Sequence, residues 1–111
     1  MTGQGGEPPE VTGSWIHAFE EDTEEGAVYR PADHRFRPAR RPRERIAFHP
    51  DGTFVERRPA PDDRLREVRG RWERRGSGRI AVTFPEGRGT PFDITVLSRG
   101  GDRLVIAKTA K

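Results

Sequence analysis

Turn signals divide this chain into eight short segments, and that spacing limits the possible folds more than any other feature. Between residues 13 and 108, runs of β-branched and aromatic residues alternate with Gly, Pro and Asp at intervals of about ten residues. Within the runs, apolar residues recur at every second position, as in a strand with one buried face. The predicted strands are residues 13–19, 27–30, 44–49, 53–58, 65–74, 79–84, 91–97 and 103–108.

The connections from the third segment onward are of hairpin length, and no segment has a helical period. These features predict an all-β fold, a small eight-stranded up-and-down antiparallel barrel or half-open barrel. Closure removes the exposed sheet edges, and eight strands enclose an interior that side chains fill or that holds one small ligand. Gly70, in the middle of the fifth segment, predicts a bend or a bulge.

The alternation also predicts the core and the domain boundary. Trp15, His17 and Phe19 share one face of the first segment. The chain of 111 residues fits one domain, which we place at residues 13–108, after a disordered Gly-, Pro- and Glu-rich tail at residues 1–12. The residues predicted to be buried are Trp15, Phe48, Phe54, Trp72, Ile80, Val82, Ile94 and Leu104.

Composition excludes several classes of function. The chain contains no Cys, which excludes a disulfide framework and thiolate chemistry. It has no secretory signal and no apolar run near the ~20 residues that cross a bilayer, so we expect a cytoplasmic protein without membrane contact. Because 19 of the 21 basic residues are Arg, a pattern typical of GC-rich genomes, the basic balance alone does not indicate a nucleic-acid partner.

Charge is unevenly distributed along the chain. Residues 1–29 contain seven acidic residues and no Lys or Arg, with an acidic loop at residues 20–26, whereas residues 31–42 form a long loop rich in Arg and Pro. Arg favours planar carboxylate or phosphate partners, so this loop is either a solvated surface or a contact for an anionic small molecule or an acidic protein. Nucleic acid is disfavoured, because only Phe36 offers a ring for base stacking in the basic run.

Two short motifs resemble those of a known family. Gly13-Ser14-Trp15 resembles the Gly-x-Trp signature on the first strand of lipocalins, and Asp102-Arg103-Leu104 resembles the last-strand region whose Arg stacks on that Trp. Together with Asp51-Gly52-Thr53-Phe54, they are similar to small bacterial lipocalin-like proteins. The resemblance implies a barrel closed at one end by Trp15 and Arg103.

The sequence contains no nucleophile elbow, phosphate-binding loop or set of metal ligands, so we expect neither a metal nor a cofactor. The leading interpretation is a protein that binds a small, partly apolar, anionic molecule inside a narrow barrel. One alternative is a cofactor-free isomerase or cyclase that uses His17 or Glu21 for proton transfer. Another is an interaction module whose Arg-rich loop holds an acidic protein. The candidate ligand-binding residues are Trp15, His17, Tyr29, Arg30, Arg40, Arg41, Phe48 and Trp72.

The position of the barrel opening has two alternatives at this stage. In a simple hairpin arrangement, the acidic loop and the Arg-rich loop lie at opposite ends of the first two strands. The opening is then beside Trp15 at the Arg-rich end or, if Trp15 is part of a plug, at the acidic end. A long loop suggests a function, so the Arg-rich end is the expectation.

Overall fold

A computed structural model describes residues 10–40, 42–62, 64–76, 78–87 and 89–110, and shows eight antiparallel strands in a closed barrel. This confirms the predicted all-β fold, and the helix described in these residues is a single 3₁₀ turn at Phe19–Glu21. The strands are β1 Gly13–His17, β2 Ala27–Pro31, β3 Arg45–Phe48, β4 Thr53–Pro59, β5 Leu65–Arg74, β6 Arg79–Thr83, β7 Phe92–Arg99 and β8 Leu104–Ala110.

The order of the strands departs from chain order at one place. From β3 to β8 each strand pairs with the next one in sequence, but β1 lies between β2 and β3, and β2 closes the barrel against β8. Trp15 is therefore opposite Pro31 on one side and Ile46 on the other. Because β2 and β3 run in the same direction, the connection at residues 32–44 must return along the length of the barrel. We call this connection the strap.

The inner face of the barrel forms the core. Seven of the eight predicted core residues are buried, while Trp72 is half-buried, packs on Phe48 and donates its indole N–H to the carbonyl of His49. Phe19 is 49% exposed, contrary to the expected inward alternation, because β1 ends at His17 and the chain turns into the 3₁₀ helix.

One end of the barrel is closed around Trp15, although not by the expected partner. The indole N–H of Trp15 donates to the carbonyl of Val11 at 2.9 Å, and Val11 is fully buried. The guanidinium 4.7 Å from the Trp15 ring centre belongs to Arg99 and not to Arg103. The reason is that β7 ends directly over Trp15, and Arg99 also donates to the Glu10 carbonyl. Packing against the barrel thus begins within the predicted tail; residues 1–9 lie outside the described residues.

Gly70 has a packing role that differs from the expected bend or bulge. The pairing of β5 with β4 continues in register through Gly70, and the register shift of the barrel lies in β7 between Val96 and Ser98. A Cβ atom at Gly70 would lie 2.4 Å from the Thr83 carbonyl oxygen and 2.8 Å from the Phe84 ring. Gly70 therefore allows β6 and the Phe84 ring to approach β5 closely.

In the described part of the chain, no helix has the length and hydropathy needed to cross a bilayer.

Candidate functional site

The end of the barrel opposite Trp15 carries charged groups on its inner face. We call it the mouth: β4 and β8 finish there, and β5 and β7 begin there. Glu56 follows Phe54 on the inward side of β4 and is only 1% exposed. Lys108 occupies the corresponding inward position after Ile106 on β8. The inner face of the barrel thus carries charged side chains beside aromatic ones near its mouth.

These charged groups form one connected network. Arg58 Nη2 donates to Glu56 Oε1 at 2.7 Å, and Lys108 Nζ donates to Glu56 Oε2 at 3.2 Å. Lys108 Nζ also lies 3.6 Å from Glu44 Oε2, and the Tyr29 hydroxyl donates to Glu44 Oε1 at 2.6 Å. Both carboxylates are therefore held by cations or by a phenol, as buried charges require.

The network determines the protonation states of its members. Burial by itself raises the pKa of Glu56, but the hydrogen bond from Arg58 and the charge of Lys108 outweigh it, and the pKa of Glu56 lies below its ordinary value. Burial and the adjacent Glu44 carboxylate raise the pKa of Tyr29 above the usual phenol value. At neutral pH the mouth thus contains a carboxylate at Glu56 and a protonated phenol at Tyr29.

Three cavities that share lining residues surround this network. A cavity of about 390 Å³ is bounded by Glu56, Lys108 and Phe92, and the Lys108 ammonium lies 5.5 Å from the Phe92 ring centre. A second, of about 430 Å³, lies between Arg58 and Arg66, and a third, of about 610 Å³, is lined by residues of the strap and of β1. The mouth is thus an open, partly aromatic space with cationic groups around it.

Arg58 and Arg66 are directly opposite each other in the pairing of β4 with β5, and both are exposed. Like charges at directly opposed positions destabilise a sheet. The pair adds positive charge to its own cavity, and Arg58 also lines the adjoining cavity beside Glu56. Such an arrangement favours an anion at the mouth.

His17 faces the largest of the three cavities and is oriented by a carboxylate. Its Nε2 lies 3.0 Å from each oxygen of Asp22, and its ring stacks on Tyr29 with centroids 5.0 Å apart. Asp22 is fixed in turn, because its Oδ1 accepts the backbone N–H of Val28 at 2.9 Å. An imidazole positioned in this way is suited to hydrogen bonding or to proton transfer.

The strap is held on the outside of the barrel by Arg43. Its guanidinium makes two hydrogen bonds with Glu20, at 2.8 and 2.6 Å, and donates to the His17 carbonyl at 3.0 Å. It also lies 4.6 Å from the Phe19 ring centre and 4.8 Å from that of Phe36. These contacts give the length of the Arg-rich loop a structural reason, since it must return across β1 and cover the outer face.

Glu20 provides a pH-dependent test of this anchor. The hydrogen bond from Arg43 lowers the pKa of Glu20 to about 2 from the ordinary 4.5. A carboxylate with a depressed folded-state pKa contributes stability that is present above about pH 4.5 and is lost as the pH falls towards 2. In urea unfolding across that range, Glu20→Gln is expected to lose less stability on acidification than the wild type. Glu24→Gln, an exposed change in the same loop, should keep the wild-type profile; equal profiles for all three proteins would contradict the anchor.

Comparison of the chain with known protein families, curated proteins and solved structures finds no match. The closed eight-stranded antiparallel barrel is consistent with a lipocalin-like fold.

The structure separates the sequence-predicted site residues into three groups. Trp15, Phe48 and Trp72 belong to the closed half of the core, where Phe48 contacts Trp72. His17 and Tyr29 lie at the mouth, and Arg40 lines its largest cavity.

The third group is Arg30 alone. Arg30 lies on the outer side of β2, where it donates two hydrogen bonds to Glu21, at 2.8 and 2.6 Å, and two to Asp102, at its carboxylate and its backbone carbonyl. Arg30 thus pairs with the acidic loop on the outer surface of the barrel. Arg41 lies outside the described residues.

Sequence reasoning missed the central members of the network, Glu56, Lys108, Glu44 and Arg58. The signal for two of them was present. Glu56 follows Phe54 by two positions, and Lys108 follows Ile106 by two, so both occupy inward positions in an apolar alternation. A charged residue at such a position is informative, because Glu and Lys are almost never fully buried unless they are paired. In the described residues, no group of three His, Asp or Glu side chains forms a metal site.

Proposed function

We propose that the protein binds a small, partly apolar, anionic molecule at the mouth of the barrel. The acidic group of the ligand lies between Arg58 and Arg66, and its apolar part contacts Phe92 and the adjoining cavity wall. The observation that carries the proposal is Glu56, a carboxylate 1% exposed inside the barrel beside an open cavity.

Apolar side chains are the alternative to charged ones at the inward positions of the mouth. Transfer of charged groups from water to a barrel interior costs free energy that the ion pair recovers only in part. Apolar side chains of similar volume would fill the same space at least as stably. Glu56 thus occupies a buried position where packing alone would favour an apolar residue, and Arg58 and Lys108 neutralise it from the exposed rim. Ionisable groups of altered pKa beside a cavity are typical of functional sites.

Two fluorescent dyes test the proposal, because they differ mainly by one negative charge. Anilinonaphthalene sulfonate is anionic, and N-phenylnaphthylamine is its neutral counterpart. We expect the wild type to bind the anionic dye more tightly. The double variant Arg58→Gln/Arg66→Gln should lose affinity for the anionic dye by about tenfold or more, since a charge-assisted hydrogen bond contributes about 1.5–3 kcal/mol. Affinity for the neutral dye should change much less.

Arg79→Gln is the matched control, because Arg79 is exposed on the outer face of β6 near the closed end. It should leave both affinities unchanged. Equal loss of both dyes in the double variant would indicate damage to the cavity and not loss of an anion contact. Unchanged binding of the anionic dye in that variant would place its site elsewhere.

A second candidate is an acid–base enzyme without a cofactor, and the His17–Asp22 pair favours it. Of the two residues considered for proton transfer, His17 lines a cavity, whereas Glu21 is held by Arg30, whose hydrogen bond lowers the pKa of Glu21. Turnover of a fractionated metabolite pool separates this candidate from simple binding. Conversion that His17→Gln abolishes and that His34→Gln preserves would support the enzyme.

A further inference from the structure

A second groove lies on the outside of the barrel, apart from the mouth. It has a volume of about 320 Å³ and runs across the outer faces of β1, β3, β4 and β5. Its charged lining comes from successive strands: Arg45 on β3, Arg57 on β4, and Glu67 and Arg69 on β5. None of the functions considered above uses this surface.

The charges of the groove are unbalanced. Arg45 and Arg57 are directly opposite each other in the pairing of β3 with β4, and both side chains are exposed. The Glu67 carboxylate accepts hydrogen bonds from two cations, from Arg57 Nε at 3.1 Å and from Arg69 Nε at 2.8 Å. Arg45 takes part in neither of these ion pairs. A directly opposed pair of like charges destabilises the sheet, and an anion between the two guanidinium groups would relieve that repulsion.

The uncharged residues of the groove indicate which chemical group accompanies the negative charge of the ligand. Ile16, Ala47 and Val55 provide an apolar floor, of which Ile16 is buried and the other two are half-buried. Ser14 and His49 add hydrogen-bonding groups at the sides. A groove of this size holds one small molecule with an apolar group next to its charge. The Trp15 ring is held under Arg99, so the described lining has no exposed Phe, Tyr or Trp ring for stacking nucleic-acid bases.

We propose that this groove binds a phosphate monoester of a small, partly apolar molecule. The phosphate oxygens lie between Arg45 and Arg57, because the planar guanidinium group matches phosphate with paired hydrogen bonds. The apolar group of the ligand lies on Ala47 and Val55. This site is independent of the mouth, because Arg45 and Arg57 lie on the opposite face of the barrel wall from Glu56.

Phenyl phosphate is the probe, and amide chemical shifts in two-dimensional NMR spectra are the measurement. We expect saturable shift changes in Arg45–Phe48 and in residues 55–57, and weaker binding of inorganic phosphate, which lacks the apolar group. Arg45→Gln/Arg57→Gln should weaken binding of phenyl phosphate about tenfold or more. Arg79→Gln should bind as the wild type does. Neither variant should melt below the wild type, because the changes are exposed and the double variant also removes the repulsion between Arg45 and Arg57.

Three results would overturn the proposal. The first is unchanged affinity for phenyl phosphate in Arg45→Gln/Arg57→Gln. The second is a set of shift changes at Phe92 and Lys108 in place of Arg45 and Arg57, which would assign the phosphate to the mouth. The third is a short oligodeoxythymidine that binds the same residues more tightly than phenyl phosphate does, which would make the groove a nucleic-acid surface. Because the dye test uses Arg58 and Arg66, failure of either proposal leaves the other standing.

Discussion

Replacement of Phe54 by alanine is expected to lower the free energy of unfolding by about 3–5 kcal/mol. Phe54 is fully buried, and its ring centre lies 5.4 Å from that of Phe48, 6.0 Å from Phe92 and 6.4 Å from Phe84. The truncation removes the ring around which these three pack, and the closed barrel has little freedom to collapse into the space. The measurement is the urea midpoint and slope of Phe54→Ala.

Leu97→Ala is the control for this prediction. Leu97 is a large apolar residue that is 45% exposed, so its truncation should cost less than about 1 kcal/mol. Similar losses for Phe54 and Leu97 would show that the inner face of β4 is not the centre of the core.

Removal of both cations around Glu56 is expected to lower the free energy of unfolding by about as much as Phe54→Ala does. Arg58→Met/Lys108→Met leaves the Glu56 carboxylate buried without the groups that neutralise it. Loss of the partners of a buried charge typically costs about 3–5 kcal/mol. Because the pKa of Glu56 should then rise, the destabilisation should decrease as the pH is lowered and the carboxyl is protonated. Chemical unfolding at neutral and acidic pH measures both effects.

A triple variant with Glu56→Leu added separates stability from binding. If the network exists for ligand binding, replacing all three groups should restore most of the lost stability, since an apolar set of similar volume fills the space. The affinity of this variant for the anionic dye should stay below that of the wild type, because Arg58 is absent. Glu44 retains the hydrogen bond from the Tyr29 hydroxyl in this variant. A triple variant as unstable as the double one would show that the charges themselves stabilise the barrel. In that case the charges do not cost folding free energy, and they no longer indicate a functional site.

The general location of the candidate site was only partly predictable. His17 and Tyr29 were identified from the sequence, and both lie at the mouth. The expectation that the barrel opens beside Trp15 at the Arg-rich end was wrong, because Val11 and Arg99 close that end. The acidic loop lies at the open end instead. This prediction of the open end failed because it assumed that β2 and β3 are neighbours in the sheet and that a long loop needs a function of its own.

Local information in the sequence was sufficient for the strands and for most of the core. Alternation with a period of two assigns the side chains of each strand to one of two faces, and Gly- and Pro-containing turns end the strands. Both signals act over a few residues, so they can be read without knowledge of the partners of a strand. They predicted eight strands, an antiparallel barrel or half-open barrel, and the burial of residues such as Phe54 and Ile94; the structure shows the closed form.

Tertiary structure alone decided which residues meet across the barrel. The insertion of β1 between β2 and β3, the stacking of Arg99 in place of Arg103 on Trp15, and the approach of Lys108 to Glu56 all join distant parts of the chain. Alternation gives the face of a residue but not its neighbour on the next strand, which depends on strand order and register. The closure of β2 against β8 brings Tyr29 and the Lys108 end of the chain to the same mouth, and so assembles the candidate site from residues that no local pattern connects.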